Sequence, residues 1–419
     1  MRTTTVQTKG KIFYGWYIVA AECVMAAMIM GIIYNCQGMF VVPGCEDMNF
    51  PRQAMSMQMT ILSMCGMGLS LLAGKLFTRR LTMPLVRICS ITTPVLFGCY
   101  SLVTQEWMLY PIAVAIGLCY GIVASLSVPV IISNWFDEKR GLALGIAFMG
   151  SGIGGMLFNV VTGALLSSVG WRATYVILAV MMVVVSAPCA FFVLRFCPED
   201  MGLRPYGHKE EAAPSQGVEP AQEGLLLKDA FRKPRFLCVC LMMLVMGFCS
   251  AQLSQTTSPR MLDTGYGNSL AAGVVSVCMA VLAVSKVLEG KMFDSRLGAR
   301  GTSVFAAIMA LVHVIGLLFA QNQMMIPLIV SGFGFGCAFG SVGPSNVAIT
   351  FGRRDYPAIL GVMNALTSLG AMLGPMFAAA VFDAVGSYNI AYYVVIAGCV
   401  VHAVLGALAV RSLPKAKNA

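Results

Sequence analysis

The stretch "VLAVSKVLEGKMFDSRLGAR" at 281–300 places an ammonium, Lys286, in the apolar half of a helix-like run. A carboxylate, Glu289, follows three residues later. A cation in apolar surroundings can hold an anion. A carboxylate beside it can neutralise it or carry a proton. The two are i, i+3 neighbours on a helix and could simply pair. A second carboxylate, Glu22, lies about one-third of the way into another apolar run, 14–40. It could carry a proton or be paired within its own helix. No Ser, His and Asp converge, and no paired carboxylates or metal-ligand spacing occur, so an enzyme is not expected. Neither a metal nor another cofactor is expected.

The elements that must position these groups are apolar. The chain has 419 residues, of which 58% are hydrophobic and 11% charged, against roughly 25% charged in soluble domains. Mean hydropathy is +0.80. Twelve apolar runs reach membrane-span length: 14–40, 53–77, 84–104, 107–133, 141–167, 172–194, 236–260, 269–292, 302–320, 324–349, 358–382 and 389–410. The first is too long for a cleaved signal and no export site follows it. The expected fold is an all-α membrane protein with twelve transmembrane helices.

Basic residues set the orientation. With the N-terminus inside, alternating loops put nearly all of the 28 lysines and arginines on the cytoplasmic side. Only Arg52, Arg172 and Arg260 fall outside, and Lys286 falls within a span. Both termini are therefore expected to be cytoplasmic. The net charge of +10 reads as a topology signal, with the bilayer and not nucleic acid as the partner. The depth of Lys286 now acquires a cost, because a lysine at the centre of a span costs about 2.5–3.5 kcal/mol on insertion scales. That argues for a use: binding an anion, serving a gate or ion pair, or reaching back to the interface. The 15 cysteines read as small apolar packers, and His313 and His402 as helix-packing hydrogen bonders.

The segment 195–235 contains "HKEEAAPSQGVEPAQEG", a linker composition, and divides the spans six and six. The expected domains are a six-helix bundle at 1–194, a cytoplasmic linker at 195–235 and a six-helix bundle at 236–419. The halves repeat. "GKLF" at 74–77 returns as "GKMF" at 290–293. Gly117, Gly121 and Pro129 return as Gly332, Gly336 and Pro344; Gly145, Gly154, Val169 and Gly170 return as Gly361, Gly370, Val385 and Gly386. All sit at an offset of 215 or 216. Two six-helix pseudo-repeats of like orientation place a ligand site between them, near the midplane. Glycine-rich faces let such helices approach closely, for static packing or for sliding.

With these motifs in hand, the whole chain resembles the major facilitator superfamily. "GKMFDSRLGAR" at 290–300 is similar to its loop between spans eight and nine. That implies a cytoplasmic gate in which Asp294 and Arg296 act, tuned by Lys139 and Arg140. The first-half copy, "GKLFTRRLT" at 74–82, is degenerate, with Thr78 in place of the acid, and implies an asymmetric latch. "NWFDEKRGLALGIAFMGSGIGG" at 134–155 resembles the monocarboxylate and oxalate/formate transporter families. "FYGWYIVAA" at 13–21 and "CPEDMGLRPYG" at 197–207 resemble bacterial members of that group.

The narrower resemblance implies a secondary transporter of an organic anion, by proton symport or anion exchange. It also implies a monomer in the plasma (inner) membrane of a bacterium. Four residues before the loop glycine, those families keep an arginine that binds the substrate carboxylate; here that position is Lys286. Lysine is a point charge where arginine is a two-pronged fork. A second cation of oxalate-type members is replaced by Thr367, which favours a monoanion. A first-span lysine of proton-coupled members is replaced by Asn35. Aromatic walls on spans four and ten are replaced by Ser125, Gly336 and Gly340, which implies a wider pocket and a bulkier monocarboxylate. Tyr34, Asn35 and Gln37, with Gln252, Gln255, Asn364 and Thr367, could complete the substrate site, although each could instead join helices. Glu22 and Glu289 are the proton-coupling candidates. The rival expectation is an exporter of amphipathic drug-like or bile-acid-like compounds.

Overall fold

The structure, a computed structural model, describes residues 13–48, 52–207, 225–266, 268–337, 342–352 and 354–409. Gly340, the middle of the expected linker (208–224) and both chain termini lie outside the described residues. The principal helices are α1 (Tyr14–Ile33), α2 (Arg52–Leu71), α3 (Thr82–Cys99), α4 (Leu109–Tyr120), α5 (Arg140–Pro188) and α6 (Pro234–Asp263). They continue with α7 (Asn268–Phe293), α8 (Gly298–Leu318), α9 (Ile326–Gly336), α10 (Val342–Phe351), α11 (Tyr356–Val385) and α12 (Asn389–Ala409). α4 runs on through a wide π-type turn, Gly121–Leu126, into Ser127–Trp135.

Apolar side chains surround most of these helices, as helices facing lipid on one side and protein on the other require. Among the described residues, nine helices are long and apolar enough to cross a membrane. The difference from the twelve expected runs has local causes. The fifth and sixth runs form one continuous helical stretch, bent at Gly170, whose φ of 79° only glycine adopts cheaply. The second and tenth yield shorter apolar helices, Met57–Leu71 and Gln323–Gly336. Gly386, the partner of Gly170 at an offset of 216, also takes a positive φ of 70° and ends α11.

Packing follows the glycines. α1 lies against the first limb of α5, where Gly150 and Gly154 abut the carbonyls of Cys23 and Ala27. α6 lies against α11 in the same manner, with Gly370 and Gly374 on the carbonyls of Leu244 and Phe248. α5 also packs on α7, and α11 on α2. Arg172 and Arg260, two of the three basic residues expected outside, terminate helices. Arg172 Nη1 donates to the carbonyls of Ser101 and Val103, both at 2.9 Å. Arg260 donates to those of Leu317 and Leu318 at the end of α8, at 3.1 and 3.4 Å. A guanidinium there satisfies carbonyls left open at a helix C-terminus and complements the dipole.

Candidate functional site

The seam between α5 and α7 collects the charged groups. Its backbones touch because glycines line α5: a Cβ at Gly145 would overlap the carbonyl of Lys286, and one at Gly152 would sit 2.8 Å from Ala283. From this contact the Lys286 side chain, only 9% exposed, crosses to α5. Its ammonium donates to Ser151 Oγ at 2.7 Å and to the Phe148 carbonyl at 3.3 Å. Ser151 sends its own proton to the Phe148 carbonyl, 2.9 Å away. Asn35, just past α1, donates through Nδ2 to the Ser151 carbonyl at 2.9 Å. Lys286 and Asn35 are thus brought together through a residue that sequence reasoning passed over. A serine among glycines reads as packing; its only signal was being the polar side chain within the glycine-rich face "GSGIGG".

Glu289 does not take the lysine as its hydrogen-bond partner. It is fully buried on α7, and neither of its carboxylate oxygens has one; the Ser285 hydroxyl one turn earlier is likewise unpartnered. Glu22 on α1 is also fully buried with both oxygens unpartnered. A buried carboxyl without a donor is costly when ionised, so each is a natural place to hold a proton.

At the end of the seam, Asp294 receives hydrogen bonds from the amides of Gly141 and Leu142, at 3.0 and 2.8 Å. It caps the first turn of α5 from a neighbouring loop, a favourable position for an anion. The other expected gate residues are placed differently. Lys139, with a φ of 58°, turns its ammonium to the Tyr206 hydroxyl at 3.3 Å and over its ring. Arg140 donates to the Phe136 carbonyl at 3.2 Å, and Arg296 is exposed in the loop. Tyr206 is pinned as well by backbone bonds with Trp135, Asp137 and Glu138. The segment "CPEDMGLRPYG" therefore braces the turn that leads into α5.

Several polar candidates are engaged elsewhere. Gln37 donates to Gln58 Oε1 at 2.8 Å and to the Tyr175 hydroxyl at 3.3 Å. Gln252 donates to the Ala391 carbonyl at 3.0 Å, tying α6 to α12. Thr367 bonds back to the Met363 carbonyl of its own helix. Tyr34 and Gln255 are exposed, and Asn364 is half-buried. Among the described residues, no group of three His, Cys, Asp or Glu could hold a metal ion. The His313 ring lies between the Thr257 hydroxyl and the Ile329 carbonyl, a packing role.

The model of the Major Facilitator Superfamily matches residues 23–350. The chain belongs to that superfamily. Its members are transporters, not enzymes. Curated relatives agree at low identity. An "MFS-type transporter" of Gibberella moniliformis is 24% identical over 264 residues, covering 61% of this chain and 58% of that one. Monocarboxylate transporter 11 of Mus musculus is 25% identical over 277 residues, 63% of this chain and 58% of that one. Monocarboxylate transporter 12 of the same species is 22% identical over 407 residues, 90% of this chain and 82% of that one. The match spans about three-fifths of the length of the first two curated relatives. The chain thus belongs to a superfamily of transporters and is a multi-pass membrane protein. The expected bacterial source is not supported, since the relatives are mostly eukaryotic.

Proposed function

We propose that the protein is a secondary active transporter of an organic anion, a monocarboxylate, working by alternating access with proton symport or anion exchange. The observation that carries this reading is Lys286. It is a buried ammonium on the α5–α7 seam, held by a hydroxyl and a carbonyl and not hydrogen-bonded to the nearby carboxylate Glu289. An ammonium buried at this seam, with a hydroxyl and a carbonyl among its partners, is chemically suited to an anionic ligand. The matched relatives named as monocarboxylate transporters support the substrate class. Asn35, bonded to the Ser151 carbonyl, is placed to join it; the half-buried Asn364 is a further candidate, and Glu22 and Glu289 are the proton carriers.

In this reading the chain crosses the plasma membrane twelve times as a monomer, with both termini cytoplasmic. Bundles at 1–194 and 236–419 rock about the site. Matching contacts support the duplication: α1 on α5 corresponds to α6 on α11, and α5 on α7 to α11 on α2. Asp294 on the α5 amides is the cytoplasmic latch. Proteoliposomes should accumulate labelled pyruvate or benzoate under an inward proton gradient or against a preloaded anion. Lys286→Gln should lose that uptake while inserting normally. Undiminished uptake by the variant moves Lys286 to a gate or packing role. Extrusion of amphipathic dyes without carboxylate uptake favours an exporter.

A further inference from the structure

We infer that Ser151 is the resting partner of Lys286 and competes with the substrate carboxylate for it, so that ligand binding is coupled to release of α7 from α5. The inference rests on Lys286 being the carboxylate anchor.

The hydrogen-bond inventory fixes the direction of the contact. An ammonium can only donate, so Ser151 must accept from it. The single serine proton is used on the Phe148 carbonyl 2.9 Å away, which leaves an oxygen lone pair for Lys286 at 2.7 Å. The same carbonyl accepts from Lys286 as well. The serine is also held from the turn after α1, since Asn35 bonds its backbone carbonyl and packs against Gly155. Ser151 is itself only 6% exposed, so water offers little alternative to this partner.

The backbone contact ties this bond to a movement. Gly145 abuts the carbonyl of Lys286 itself, so the lysine leaves α7 at the point where the two helices touch. Separation of α5 from α7 stretches the Lys286–Ser151 bond together with the Lys286 contact to the Phe148 carbonyl. A carboxylate that takes the ammonium supplies both acceptors at once and removes the tie. Ser151 is thus a positioning residue, and it sets how strongly a carboxylate must bind to open the seam.

The test is labelling of Lys286 in full-length protein. A small membrane-permeant acetylating ester is used, and the Lys286 peptide is followed by mass spectrometry. Acetate, pyruvate and benzoate serve as protecting probes. Ser151→Ala should raise the labelling rate of Lys286 about tenfold and lower the protecting concentration of a carboxylate by a similar factor, as expected for loss of a charge-assisted hydrogen bond. Ser151→Thr, which keeps the hydroxyl, should restore wild-type labelling; a merely structural serine would not show that rescue. Protection at equal concentrations in wild type and Ser151→Ala overturns the competition and leaves the Lys286 anchor standing. Protection by no carboxylate in either protein overturns the anchor and the inference with it.

Discussion

The α5–α7 and α2–α11 seams are built on one plan and carry different chemistry. On the first, Gly145 abuts the carbonyl of Lys286; on the second, Gly361 abuts that of Ser70. These pairs are related by the same offset of 216 that relates Gly290 to Gly74. At that offset Lys286 corresponds to Ser70, Ser151 to Thr367 and Asp294 to Thr78. The first seam has an ammonium crossing between helices and a carboxylate capping a neighbour. On the second, Ser70 and Thr367 each bond back to their own helix, at 2.8 and 2.9 Å. The loop after α2 is tied instead at the surface, by Arg79 to Asp200 at 2.7 Å. Equal packing with unequal chemistry separates the two roles a helix contact can play: the neutral seam needs only to fit, while the charged one can also respond to a ligand.

The largest expected effect comes from removing charge on one seam only. Lys286→Gln should lower carboxylate uptake by at least about 100-fold, since a buried charged contact is worth several kcal/mol when broken. Ser70→Ala, at the equivalent position, should leave uptake within about twofold, because it deletes only a bond to its own helix. Equal losses at both positions, measured in proteoliposomes at matched protein content, would erase the distinction.

Next comes the latch. Asp294→Asn replaces an anion on two helix amides by a weaker neutral acceptor, a loss of about 1–2 kcal/mol. That should shift the equilibrium between open and closed cytoplasmic faces by roughly fivefold to thirtyfold. Thr78→Val should shift it far less. Spin-label distances between the loop after α7 and the turn before α5 report this directly.

Packing predicts the opposite pattern, equality. Gly145→Ala and Gly361→Ala each force a methyl onto a carbonyl, so both should lower stability by a comparable amount, about 1–3 kcal/mol. Thermal unfolding in detergent checks this, and a loss confined to one seam would break the equivalence.

The smallest effect concerns the surface tie on the neutral seam. Partial burial of Asp200 opposes its ionisation. Hydrogen bonds from Arg79 and Cys197 and the Arg79 charge outweigh this and hold the carboxyl below its usual range. A carboxyl depressed in the folded state stabilises above its unfolded value, near 3.9, and loses that stabilisation as pH falls through the lower folded value. For so exposed a pair, solvent screening keeps the contribution small. The melting difference between wild type and Asp200→Asn should therefore be small at pH 7 and shrink below about pH 4.

Much of this architecture was legible before any coordinates. Apolar runs report helices because lipid and core both demand them; Gly170 and Gly386 were legible only as a repeat match, and the structure gives both a positive φ, where α5 bends and where α11 ends. Lys286 stood out because a buried ammonium is costly wherever it lies. The partner of that lysine was not legible: Ser151 is one small residue in a glycine-rich stretch, and only the crossing of α5 and α7 brings it within 2.7 Å. Gln37 and Gln252 show the converse. A polar side chain in a span satisfies itself equally well on a neighbouring helix or on a ligand, and both glutamines bond to neighbouring helices here.

The central claim is that the charged seam holds a carboxylate through Lys286. Thermal unfolding of detergent-purified protein against a panel of monocarboxylates, dicarboxylates and cationic amphiphiles tests it most directly, with Lys286→Gln run alongside. A ligand at 100 times its dissociation constant stabilises by about 2.7 kcal/mol, well within reach of the method. The account predicts that monocarboxylates raise the melting temperature of the wild type and leave Lys286→Gln unmoved. Stabilisation by amphiphiles alone, or an equal carboxylate shift in both proteins, would contradict it.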